Sequence, residues 1–140
     1  MLLGLFQYMV DEKGRVFVPA KFREDLGESF VVTIGPDRCL AAYSKKEWAL
    51  LEEKISNLPS RGRDIQRMLY ANAAEVEPDK QGRILLTPEL RRYANLENKT
   101  DVVIVGASRR MEIWNKTVWD EYQASKDYSE VFAAMDELGL

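Results

Sequence analysis

The feature that most restricts this chain is that it repeats itself. Residues 11–23 read DEKGRVFVPAKFR and residues 79–91 read DKQGRILLTPELR. At an offset of 68, Asp11 falls on Asp79, Gly14 on Gly82, Arg15 on Arg83 and Arg23 on Arg91. The apolar run Val16-Phe17-Val18 meets Ile84-Leu85-Leu86, and Phe22 meets Leu90. The match resumes at an offset of 71, where Gly35, Leu40, Tyr43, Lys45 and Trp48 align with Gly106, Met111, Trp114, Lys116 and Trp119. Two matched blocks in the same order mark a tandem duplication of one supersecondary unit. Below about 70 residues a single core rarely suffices, so the two copies are expected to interleave around one core.

Local chemistry gives each copy the same plan: turn, strand, short helix, strand, turn, strand, helix. Asp-x-x-Gly between Gln7–Val10 and Val16–Val18 is a hairpin signal, with Gly14 free to take a positive φ. Its counterpart is Asp79–Gly82, between Ala74–Glu77 and Ile84–Leu86. Pro19 and Pro88 stop the strands and suit a first helical turn, which predicts short helices over Ala20–Leu26 and Pro88–Tyr93. Phe30–Ile34 and Val102–Val105 are β-branched runs and read as strands. Ser44 and Asn115 read as N-caps for the helices carrying Trp48 and Trp119.

Lys45–Leu58 is amphipathic and ends at Pro59-Ser60; a second helix is expected over Arg63–Asn72. From Thr117 onward the pattern is helical, with a break near Asp127–Ser129. The organisation read from this is a first repeat over 1–58, a linker helix over 59–73, a second repeat over 74–122 and a helical tail over 123–140. The fold class expected is α+β: a small β-barrel built from two interleaved repeats and capped by helices.

Composition narrows the function. The chain has no histidine and one cysteine, Cys39. Histidine is the commonest general base and transition-metal ligand, so the expectation is a non-enzyme with no cofactor, metal or small-molecule substrate. A lone cysteine excludes an intrachain disulfide and fits a reducing, cytoplasmic setting. Cys39 reads as a buried apolar residue. No stretch approaches the roughly 20 apolar residues of a membrane span, and the apolar MLLGLFQYMV reads as a first strand, not a signal peptide.

The net charge of −3 is unevenly placed. Seven acids from Glu112 onward, against Lys116 and Lys126, leave that segment at −5 and residues 1–111 at +2. A local basic surface is what nucleic acid requires. Lys13, Arg15, Lys21 and Arg23 lie on a turn tip and the helix after it, and Lys80, Arg83, Arg91 and Arg92 repeat the placement.

D-x-x-x-R followed by a β run and P-x-x-F/L-R, present twice, resembles the MraZ family, whose halves are similar to AbrB-type DNA-binding units. The phrases that carry the resemblance are FQYMVDEKGRVFVPAKFRE, CLAAYSKKEW, ANAAEVEPDKQGRILLTPELRRYANL and MEIWNKTVW, together spanning roughly residues 1–122. The resemblance implies a nucleoid-associated repressor of repeated promoter elements upstream of its own cell-division and cell-wall operon. It also implies a ring-shaped homo-oligomer. One departure stands out: Thr87-Pro88 replaces Pro19-Ala20, which is expected to move the start of the second short helix by one residue.

On this reading the candidate DNA-binding residues are Lys13, Arg15, Lys21, Arg23, Lys80, Arg83 and Arg91, with Asp11, Gly14, Asp79 and Gly82 as the structural motif. Asp11–Arg15 and Asp79–Arg83 either staple their turns or orient a guanidinium towards DNA, and both roles can hold together. Arginine's planar fork suits phosphate or guanine edges as lysine does not. Arg61, Arg63, Arg67, Arg109 and Arg110 are read as solvated surface, with a contact to DNA or to a neighbouring subunit as the alternative. The aromatic residues Phe22, Tyr43, Trp48, Trp114 and Trp119 are read as core, although base stacking is the alternative. Leu2, Leu3, Leu5 and Phe6 are either core or an edge strand that joins subunits. The competing function is a protein-interaction module, antitoxin-like or scaffolding, without autonomous DNA binding.

Overall fold

The computed structural model describes residues 1–60 and 62–140, so Arg61 lies outside the described residues. Among the described residues eight strands are formed: β1 (Leu2–Met9), β2 (Arg15–Phe17), β3 (Phe30–Ile34), β4 (Leu40–Ser44), β5 (Ala74–Val76), β6 (Arg83–Leu85), β7 (Asp101–Ser108) and β8 (Met111–Asn115). Six α-helices accompany them: α1 (Ala20–Leu26), α2 (Lys45–Ser56), α3 (Gly62–Ala71), α4 (Pro88–Ala94), α5 (Lys116–Ala124) and α6 (Tyr128–Glu137). Each half therefore runs strand, turn, strand, helix, two strands and two helices. The fold is mixed α+β, around a large antiparallel sheet.

Four of the six strand pairings among the described residues cross between the halves; β3–β4 and β7–β8 stay within one. The six-stranded sheet has the order β1-β7-β8-β4-β3-β5, and β2 pairs with β6 in a separate two-stranded ladder. Each half thus lends its opening strand to the other: β1 lies on β7, and β5 lies on β3. The two expected hairpins do not form. The Asp-x-x-Gly turns close on themselves, with Gly14 N–H donating to Asp11 C=O at 3.0 Å and Gly82 N–H to Asp79 C=O at 2.9 Å. The strands leaving each turn then pair with the other copy, because Val16 and Ile84 reach full burial only by facing one shared core. Nor do hydrogen bonds close the expected barrel: β1 and β5 remain sheet edges, with no ladder between them among the described residues.

That core is one cluster fed equally by both copies. Val16, Phe22, Phe30 and Leu40 come from the first, and Ile84, Leu90, Val102 and Met111 from the second. Each large apolar side chain so buried contributes about 1.5–3 kcal/mol. A smaller cluster of Cys39, Val103 and Trp114 lies on the outer face, under Trp119 and Tyr122. The aromatic residues are therefore packing residues, with Phe22 and Trp114 buried and Trp48 against Tyr43 and Tyr70.

The helix boundaries follow their capping chemistry. The Ser44 hydroxyl accepts from Glu47 N–H at 3.2 Å and the Asn115 side chain from Val118 N–H at 3.2 Å, one orphan donor satisfied at each N-terminus. The expected one-residue shift of the second short helix is absent. Pro19 and Thr87 are both N-caps and Ala20 and Pro88 both first residues, since proline is tolerated at the first helical position as well as before it. The strand registers also correct one alignment. Ile34 pairs with Leu40 where Gly106 pairs with Met111, so Gly106 is the counterpart of Ile34, not of Gly35. At Gly106 a Cβ would meet the Leu2 and Leu3 backbone at 2.5 Å; glycine there permits β1 to lie close on β7.

Candidate nucleic-acid interface

The two Asp-x-x-x-Arg turns meet across the β2–β6 ladder. Val16 pairs with Ile84 at its centre, Arg15 with Leu85 and Phe17 with Arg83. Alternation then turns Val16 and Ile84 inward and leaves Arg15, Phe17, Arg83 and Leu85 on the outer face. Phe17 is 40% exposed and Leu85 61%, so this face carries two arginines and two apolar side chains.

Each aspartate does two things. Asp11 Oδ1 accepts from the backbone N–H of Lys13 and of Arg15, both at 2.9 Å, which fixes the turn. Its Oδ2 accepts from Arg15 Nε at 2.7 Å, which fixes the guanidinium. In the second copy Asp79 Oδ1 takes Gln81 and Arg83 N–H at 2.9 Å each, and Oδ2 takes Arg83 Nε at 3.0 Å. The pairs also approach one another: Arg15 Nη1 is 3.9 Å from Asp79 Oδ2, and Arg83 Nη1 is 3.8 Å from Asp11 Oδ2. The result is a four-membered ring of alternating charge in which each Nε is committed to its own aspartate and each Nη1 stands 3.8–3.9 Å from the aspartate of the other copy. Each aspartate therefore both staples its turn and fixes the guanidinium of its own arginine.

The titration behaviour reflects this wiring. Burial disfavours the charged form of Asp11, but the hydrogen bonds from Arg15 and Lys13 outweigh it and hold the carboxyl below its ordinary range. For Asp79 the leading cause of the same downward shift is the backbone hydrogen bond from Arg83.

The helix arginines cross over as well. Gly14 and Gly82 have φ of 80° and 84°. A Cβ on Gly14 would sit 2.9 Å from the Arg91 guanidinium carbon, and one on Gly82 would sit 2.8 Å from that of Arg23. Each helix thus lays its arginine on the turn of the other copy. The Nε atoms of Arg23 and Arg91 are buried there with no hydrogen-bond partner among the described residues. Arg91 is further tied through Nη1 to Asn98 Oδ1 at 3.2 Å, and Asn98 Nδ2 donates to Glu12 C=O at 3.0 Å.

Among the basic residues of the turns and short helices, Arg15/Arg83 and Arg23/Arg91 repeat and the lysines do not. The counterpart of Lys13 is Gln81, that of Lys21 is Glu89, and that of Lys80 is Glu12, so the lysines do not repeat their placement. Lys13 and Lys80 are exposed at the turn tips and Lys21 is exposed on α1. Arg15, Arg83, Arg23 and Arg91 are brought together around the two turns; Lys21 takes no part in these contacts among the described residues. Sequence reasoning missed Phe17, Leu85 and Asn98. The outward alternate positions of the two short strands were the signal for the first two.

The other basic residues separate. Arg63 and Arg67 are exposed on α3, and Arg109 is exposed in its turn. Arg110 corrects the surface reading: its Nε and Nη2 donate to Glu112 Oε2 at 2.9 and 2.8 Å, while Glu112 Oε1 accepts from Trp114 Nε1 at 3.1 Å. Glu112 is buried and needs these partners. Cys39 lies beneath, and burial, with Glu112 nearby, pushes its thiol up to about 12. Among the described residues no cluster of His, Cys, Asp and Glu suits a metal ion, and no helix is long and apolar enough to cross a membrane.

Comparison with known proteins bears on both copies. The family model described as "MraZ protein, putative antitoxin-like" matches twice, over residues 1–69 and 68–138. A protein of Acetivibrio thermocellus named transcriptional regulator MraZ is 50% identical over 132 residues, covering 92% of this chain and 91% of its own length. Proteins of the same name from Caldanaerobacter subterraneus and Caldicellulosiruptor saccharolyticus are 50% and 47% identical over 145 residues, each over the full length of both chains. With both copies matched and identity sustained from end to end, the chain belongs to the MraZ family.

Proposed function

We propose that this chain is a transcriptional regulator that binds duplex DNA sequence-specifically through the face built on β2, β6 and the two Asp-x-x-x-Arg turns. The observation that carries the reading is the twofold ring of Asp11, Arg15, Asp79 and Arg83. Its aspartates hold both guanidiniums by Nε and leave the Nη forks, which suit guanine edges and phosphates. A two-stranded ribbon also has the dimensions to enter a major groove. Burying an unpaired N–H costs about 1–3 kcal/mol, and both copies tolerate that at Arg23 and Arg91. Those Nε atoms are closed off from an outside partner, so what Arg23 and Arg91 would offer DNA is the positive charge of the rest of the guanidinium. Lys13 and Lys80 at the turn tips, with Lys21 on the helix, add sequence-independent attraction to phosphate.

On this reading the protein acts in the cytoplasm, associated with the nucleoid, as a repressor of repeated elements upstream of its own cell-division and cell-wall operon. A ring-shaped homo-oligomer would present several such faces to successive repeats. The protein catalyses nothing and takes no cofactor.

The test is a mobility-shift titration against the protein's own upstream region with competitor DNA present. Arg15→Ala and Arg83→Ala are each expected to lose roughly ten- to hundredfold in affinity, the worth of one good bidentate contact. Log K should fall by about 0.9 per phosphate neutralised as log salt rises. A folded wild type that shifts no upstream fragment would overturn the reading in favour of a protein-interaction module.

A further inference from the structure

The two halves end in the same pair of helices, yet the second of each pair has a different fate. In the first copy α3 folds back on the sheet. Its Leu69 C=O accepts from the buried Thr33 hydroxyl at 2.7 Å, and Tyr70 packs edge-on against Trp48 at 5.8 Å. In the second copy α6 touches no such surface, and every residue from Gln123 to Leu140 is exposed. Its apolar residues nevertheless fall at helical spacing: Tyr128, Val131, Phe132, Met135 and Leu138, with Phe132 64% exposed. A ten-residue helix is marginal in water without packing. Among the described residues α6 therefore has no packing partner for its apolar stripe.

Its own half has also dispensed with it. The counterpart of Trp48 is Trp119, and there the second aromatic comes from α5 itself, Tyr122, stacked at 5.9 Å. Tyr122 stands where α2 has Leu51. The aromatic cluster of the second copy is thus complete without α6.

The surface that α3 covers in the first copy is only partly covered in the second, where Val105 is half-buried against the Trp114 cluster while Leu3 and Leu5 are exposed. Strand registers make Val105 the counterpart of Thr33. Beside Val105 on the same outer face stand Leu5, its β1 partner, and Leu3, opposite Ala107. Leu3 is 61% exposed and Leu5 44%. Charge does not decide the fit: from Asp127 to Leu140 the chain carries four acids and no base, and Lys46 and Arg109 border this end of β1 together with Asp25 and Glu47.

We infer that α6 of one copy docks on the β1–β7 outer face of a second copy, seating its Val131–Met135 stripe over Leu3, Leu5 and Val105. Helix and seat are different patches of one surface, so each copy both gives and receives a helix, in a reciprocal pair or in a ring. The inference rests on the self-assembly included in the proposed function, and adds which surfaces meet.

The experiment uses the full-length chain. One preparation carries Leu3→Cys or Leu5→Cys, another Val131→Cys, Phe132→Cys or Met135→Cys; native Cys39 is fully buried and does not compete. On mixing and oxidation, disulfides are expected between chains for at least one strand–helix pair. Leu5→Asp and Phe132→Asp should each raise the concentration needed for assembly roughly ten- to hundredfold, with an unchanged urea midpoint for the dissociated chain. Three results would overturn the inference. A cross-link of the same pairs only within one doubly substituted chain would place α6 on its own sheet. Cross-linking of α6 to Met68→Cys on α3, with none to β1, would leave self-assembly standing and move the seat. A wild type that stays monomeric at high concentration would remove the self-assembly itself.

Discussion

The two halves of this molecule can be compared position by position, and they agree and differ in a patterned way. Arg15 and Arg83, Gly14 and Gly82, Arg23 and Arg91, and Asp11 and Asp79 are identical. These are the positions whose side chains or backbones meet the opposite copy: guanidinium near the other aspartate, arginine over the other glycine. Among the described residues the side chains of Lys13, Lys21 and Lys80 make no hydrogen bond or ion pair across the interface, and they are not repeated. A contact that crosses a twofold axis is made twice, so a change at one position breaks its partner's geometry as well. A solvated lysine carries no such penalty. The C-terminal helices extend the contrast, since α3 is held by the first copy and α6 is released by the second.

The comparison can be broken most forcefully in the core. Phe22 and Leu90 occupy matching places on α1 and α4, and both are buried. Phe22→Ala should cost about 3–5 kcal/mol and Leu90→Ala about 2–5 kcal/mol by urea unfolding. Because the core is shared, each should yield one cooperative transition; two transitions would mean that the halves fold apart.

Next come the turn glycines. Gly14→Ala and Gly82→Ala each place a Cβ in the left-handed region, costing about 1–2 kcal/mol, and each also displaces an arginine. Gly14→Ala should be the more damaging to stability, because Arg91 is tied to Asn98 while Arg23 has no such hydrogen bond among the described residues. Equal losses would show that the anchor contributes nothing.

A smaller effect separates the helix starts. Thr87 caps α4 by accepting from Leu90 N–H at 3.2 Å, whereas Pro19 makes no side-chain cap. Thr87→Ala should lose about 0.5–2 kcal/mol, and Pro19→Ala should remove no cap bond. Urea midpoints measured side by side read the difference.

The subtlest test is acid titration of stability. Asp11 and Asp79 have folded-state pKa values below the ordinary value near 3.9. Their contribution is therefore fully present above that value and is lost as pH falls through the lowered folded-state values. Asp11→Asn and Asp79→Asn should each flatten the acid limb of stability against pH. An unchanged limb in both would show that the ring does not hold its carboxylates ionised.

The sequence made the element list legible, and for local reasons. Ala20–Leu26 and Phe30–Ile34 appear as the patterns placed them, since proline, β-branching and caps act within a few residues. The site was legible to the extent that it was duplicated: the Asp-x-x-x-Arg turns stood out twice, while Asn98, present once, did not. Arg110 was misread because its partner Glu112 lies two residues along the same strand, and only burial shows that the pair is structural.

What the sequence by itself determined is the duplication, the turns, the short helices and which residues carry charge. These follow from composition and spacing over a few residues. Tertiary structure alone decided that β2 pairs with β6 and not with β1, that Arg23 and Arg91 exchange turns, and that α3 is covered while α6 stands free. Each of those choices compares one long-range contact with another. Two copies of one pattern offer chemically equal partners within and between halves, and only burial in a shared core separates them.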